Sequence, residues 1–77
     1  MSGREVLEEA LAEAAPYLAN PEWARRKLEE VWGETLNLTQ LLDSLSKLVS
    51  LEGEPTRKTD LKILLQYLER QLGKSKS

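Results

Sequence analysis

The groups in this chain that could do chemistry are carboxylates, lysines, arginines and two tyrosines, because the 77 residues include no histidine and no cysteine. That excludes imidazole general-base catalysis, a thiolate nucleophile, a disulfide and any zinc site built from Cys or His. The carboxylates do not fill the gap. Glu8 with Glu9, and Glu29 with Glu30, are adjacent pairs, and sequence neighbours diverge around a helix. A carboxylate metal site needs inward-facing Glu on facing helices, whereas the acids here interrupt polar faces. No glycine-rich phosphate loop is present. The expectation is a non-enzyme, with no cofactor and no small-molecule substrate.

Two charged stretches are candidates for binding something larger. Glu5, Glu9 and Glu13 recur every fourth residue, with Glu8 beside them. Like charges at that spacing repel by about 0.2–0.5 kcal/mol per pair. The plain reading is a solvated face; the functional one is docking on a basic surface. The second stretch is Thr56-Arg57-Lys58-Thr59-Asp60-Leu61-Lys62. Cations at a helix start oppose the helix dipole, and Lys58 with Lys62 adds a repulsive pair. Free N–H groups at such a start, with Thr56, Arg57, Lys58 and Lys62 around them, suit a phosphate. Contact with a DNA or RNA backbone is the concrete version. Solubility, or pairing with the acidic first helix, is the simpler account. Charge favours pairing: residues 1–52 hold five Lys/Arg against ten Asp/Glu, a net of −5, and residues 53–77 hold six against three, a net of +3.

A third set is apolar. Ile63 and Tyr67 lie off the main stripe of the last helix, and Leu51 lies off the stripe before it. Trp23 and Trp32 cannot both cover the thin face of the second helix. Apolar residues outside a core face mark a partner surface. Burial of the last helix on two sides is the competing account.

The elements that position these groups are helices. Leu contributes 16 residues and Ala 6, while Val and Ile together give 4 and Phe none. So few β-branched and aromatic residues leave little strand propensity. Leu38, Leu41, Leu42, Leu45, Leu48 and Val49 form the cleanest helical stripe in the chain. Leu7, Ala10, Leu11, Ala14, Tyr17 and Leu18 form another, running through Pro16. Proline there either kinks the helix or ends it near Ala14, and the unbroken stripe favours the kink. Ser2 with Glu5 has capping-box spacing. Asn20-Pro21-Glu22 is a strong helix start, and Gly33 is placed to end that helix in the left-handed conformation. Asn37 with Gln40 again has capping-box spacing. Gly53 and Pro55 separate the third helix from a fourth, capped by Thr56 or Thr59. Leu61, Leu64, Leu65, Leu68 and Leu72 make its stripe, and Gly73 closes it.

The predicted fold is all-α: one small three- or four-helix bundle over residues 1–73, roughly antiparallel, with the third helix central. The helices fall at about 3–19 with a kink at Pro16, 21–32, 38–52 and 57–72, and residues 74–77 form a disordered polar tail. No stretch reaches the roughly 20 apolar residues of a membrane span, so a soluble cytoplasmic protein is expected. A core this size leaves only about 3–5 kcal/mol of stability, which favours association. The leading reading is a protein–protein interaction module that self-associates, as a homodimer or higher, through Ile63, Tyr67, Leu51, Trp32 and Trp23. Nucleic acid bound through the basic start of the fourth helix is second. An acidic inhibitor using Glu5, Glu9 and Glu13 is third.

Overall fold

The computed structural model describes residues 3–76, with side chains described over 4–73. The helices are α1 (Gly3–Ala14), α2 (Pro21–Gly33), α3 (Leu38–Leu51) and α4 (Pro55–Lys76), with a 3-10 turn at Ala15–Tyr17. No strand occurs among the described residues. The four helices pack as a small bundle measuring 34 × 25 × 18 Å. Its core joins Val6, Leu7, Ala10 and Leu11 of α1 to Leu28 of α2, Leu41 and Leu45 of α3, and Leu61, Leu64 and Leu68 of α4.

The centre of the bundle is α4, not the expected third helix. α4 packs against α1 most extensively, then α3, then α2. α3 touches α4 and, more lightly, α2. The clean stripe of α3 has a physical reading: a helix covered from one side needs only one apolar face. A helix covered from several sides carries apolar residues around more of its surface. On α4, Leu61, Leu64 and Leu68 are fully buried with Leu65 partly buried beside them, and Ile63 and Tyr67, off that stripe, are partly buried as well.

α1 ends at Ala14 rather than kinking through Pro16. Pro16 has no N–H for the Ala12 carbonyl, so the chain tightens into the 3-10 turn. The Leu18 N–H closes that turn on the Ala15 carbonyl at 3.2 Å, and Leu18 itself is extended. The stripe continues across the break, because Ala14 and Leu18 are both buried. The Ser2 half of the Ser2–Glu5 cap lies outside the described residues.

The starts of α2 and α3 follow the sequence, whereas α4 begins at Pro55, two residues before the expected start. The Asn20 carboxamide accepts from the Trp23 N–H at 3.1 Å, with Pro21 in the first turn. Asn37 accepts from Gln40 N–H at 2.9 Å, and the Gln40 side chain accepts from Leu36 N–H at 2.9 Å. The helix ends differ. No glycine among the described residues takes positive φ. Gly33 is the last helical residue of α2, and the Glu34 N–H closes on Val31 at 3.0 Å. The Glu52 N–H caps α3 on Leu48 at 2.8 Å. α4 passes through Gly73 and continues to Lys76, so the segment expected as a disordered tail is helical as far as it is described.

Candidate interaction surface

The basic start of α4 is built by an acid. Neither Thr56 nor Thr59 caps it; Glu54 does. The Glu54 carboxylate accepts from the N–H groups of Thr56 and Arg57, each at 3.1 Å, and its carbonyl accepts from Lys58 N–H at 2.9 Å. Pro55 has no N–H to satisfy. The N–H groups of the first turn are therefore taken, and an incoming phosphate would have to displace a carboxylate. Those backbone donors, Thr56 first and then Arg57, hold the Glu54 carboxyl below its ordinary range. Thr59 turns its hydroxyl back to the Pro55 carbonyl at 2.9 Å. Arg57 lies over the Trp23 ring, 5.1 Å from its centroid. Lys62 is exposed and Lys58 half-buried.

Within the same stretch lies the one buried carboxylate among the described residues. Asp60 is 1% exposed. Its two oxygens accept from the N–H groups of Ala19 and Asn20, each at 2.9 Å. A side chain of α4 thus fixes the link between the 3-10 turn and α2. In the sequence Asp60 stands among the polar residues of this stretch. The available signal was its register: Asp60, Leu64 and Leu68 step by four along one line of α4, and all three are buried. Gln71 extends that line, is also buried, and donates to the Glu13 carboxylate.

The acidic edge of α1 does not meet the basic start of α4. Its cations come from α1 itself and α2. Arg25 reaches Glu8 at 3.2 Å, and Arg4 pairs with Glu29 and, at 3.7 Å, with Glu8. All of these side chains are 40–53% exposed, so each pair contributes at most about 1 kcal/mol. Glu5, Glu9 and Glu13 are exposed, with no cation among the described residues.

The apolar candidates divide. Leu51 is 81% exposed, and Leu36, which sequence reading passed over, is 87% exposed. Ile63, Tyr67, Trp23 and Trp32 are only partly exposed and pack against the core. Tyr67 stacks on Tyr17 with centroids 6.2 Å apart, and Arg70 lies over its ring at 5.4 Å. On α3, Leu41 and Leu45 are buried, whereas Leu38, Leu42, Leu48 and Val49 are only partly covered. No group of three or more acidic side chains suited to a metal comes together among the described residues. No described helix is long and apolar enough to cross a membrane.

Residues 4–73 match the model of the MJ1579 family. The chain is 35% identical over 74 residues to the uncharacterized protein MJ1579 of Methanocaldococcus jannaschii, covering 96% of this chain and all of that protein. No solved structure matches it significantly. A family match over nearly the whole length, with a full-length relative at this identity, means that the chain belongs to the MJ1579 family.

Proposed function

We propose that this chain is a non-catalytic, cytoplasmic protein–protein interaction module that associates with itself. The observation carrying this reading is the partial covering of α3. Four of the six residues of its stripe stay partly open, and Leu36 and Leu51, just before and at the end of the helix, are almost fully exposed. An apolar face left open on a chain with so small a core favours a second protein surface. The side chains support a non-catalytic role: there is no His or Cys, and the one buried carboxylate among the described residues is occupied by two backbone N–H groups.

The test is the mass in solution by light scattering, across a dilution series at low and high salt. The expected result is a dimer or higher oligomer that dissociates on dilution. A monomer at every concentration and salt would refute self-association.

A further inference from the structure

We infer that a second copy of this chain packs its own α3 against α3, antiparallel, about a two-fold axis level with Ser44. The inference rests on the self-association proposed above and names its surface, register and orientation. Leu38, Thr39, Leu42, Ser46, Val49 and Ser50 lie within about 120° of arc on α3. The buried Leu41 and Leu45 lie to one side of that arc. Leu38, Leu42 and Val49 are partly exposed, and Thr39, Ser46 and Ser50 are exposed. None of the six is charged. The whole of α3 holds two charged residues, against five on the shorter α1 and six on the shorter α2, and the centre of a protein interface is poor in charge.

A second copy is the occupant because this face matches its own reverse. Its steps of one, three, four, three and one read the same from either end. In an antiparallel pair centred on Ser44, each residue meets the one equally far on the other side. Leu38 then meets Ser50, Leu42 meets Ser46, and Val49 meets Thr39. Every larger aliphatic side chain faces a short hydroxyl-bearing one, so the two helices can approach closely and interdigitate. Each pair forms twice, as a two-fold contact requires. A parallel pair would set Leu against Leu and Ser against Ser. Charge selects the same orientation. Asp43 and Lys47 stand on one flank of the face, both exposed, with 3.4 Å between their charged atoms. The antiparallel axis keeps that flank on the same side in both copies. It brings the second copy's Lys47 within about 3 Å of Asp43 along the helix axis, so opposite charges meet twice across the contact. A parallel pair puts the two flanks on opposite sides, and these charges do not meet.

The chain has no cysteine, which makes cross-linking selective. Full-length Thr39→Cys and Ser50→Cys chains are mixed under mild oxidation, beside a mass measurement of the wild type. Both positions are exposed and outside the core. In the antiparallel register they stand one residue from level, whereas each lies at least about 15 Å along the axis from its own copy. A disulfide needs Cα atoms within about 7 Å. The expected result is a mixed disulfide that forms at least about tenfold faster than either variant's link to itself. Lys47→Glu alone sets acids together across the axis and is expected to weaken the dimer about fivefold, and mixing it with Asp43→Lys to restore it. Each variant linking to itself as fast as to the other would mean that the helices do not run antiparallel, overturning this register but not self-association. A dimer by mass with no disulfide in any mixture would place the contact off this face, with the same consequence. A wild type that stays monomeric at every concentration overturns both.

Discussion

Two carboxylates six residues apart in sequence, Glu54 and Asp60, do different work because one is exposed and the other buried. Asp60 holds the Ala19 and Asn20 N–H groups from a site 1% exposed. Hydrogen bonds to a charged group are worth about 1.5–3 kcal/mol each, and losing the acceptor leaves donors unpaired. Asp60→Ala is therefore expected to destabilise the fold by about 2–4 kcal/mol in urea unfolding. Asp60→Asn keeps one acceptor and turns an amide N–H toward the second donor, so it should also lose stability. Wild-type stability in the Asn variant would show that the carboxylate is not the latch. Glu54 acts from the surface and through its charge. Its folded carboxyl is lowered by the Thr56 and Arg57 N–H groups. A carboxyl lowered on folding adds stability above the ordinary range, and that stability is lost as pH falls through the lowered value. Glu54→Gln should lower the melting temperature at neutral pH and leave a smaller fall below about pH 5. Parallel melting curves for both proteins from neutral to acid pH would rule out the charged cap.

The helices differ in how far they are covered, and that ordering is measurable. Leu64 of α4 is fully buried in the hub, whereas Leu42 of α3 is only partly covered. Leu64→Ala is expected to cost about 2–5 kcal/mol and Leu42→Ala about 1 kcal/mol. Equal losses would return α3 to the centre. The helix starts at Asn20 and Asn37 were legible in the sequence because a cap is a local contact between residues three apart. The all-α bundle was legible from Leu spacing. Which helix is central was not, because periodicity reports the width of an apolar face and not how many neighbours cover it. The stripe through Pro16 misled for a related reason. Ala14 and Leu18 stay buried on either side of the 3-10 turn while Tyr17 within it is 66% exposed, and the backbone bond lost at proline leaves no mark on the pattern. The Glu54 cap was hidden behind Thr56 and Thr59, both plausible caps by type; Pro55 at the first helical position was the cue that placed the cap one residue earlier. Of the candidate surface, Leu51 was legible as an outlier from its stripe. The half-burial of Ile63 and Tyr67 was not, because the Tyr17–Tyr67 stack joins residues fifty apart in sequence.

At the scale of the whole molecule, fold stability and association are one equilibrium if the second copy binds only the folded chain. A partner at 100 times its Kd adds about 2.7 kcal/mol, and that addition grows with concentration. The core supplies only about 3–5 kcal/mol in a chain of this length, so the contribution from a partner would be a large share of the total. The urea midpoint is thus expected to rise as protein concentration is increased about 100-fold. The charge layout adds a second dependence. With acids concentrated in residues 1–52 and bases in 53–77, salt screens charge attraction between copies, as it screens the exposed ion pairs of α1 and α2. The concentration-dependent part of the midpoint should therefore shrink as salt is raised. A concentration-dependent midpoint that salt leaves unchanged would assign the association to the apolar face of α3 alone. A midpoint independent of concentration would mean that the folded state gains nothing from a second copy, and that the open face of α3 serves a different protein.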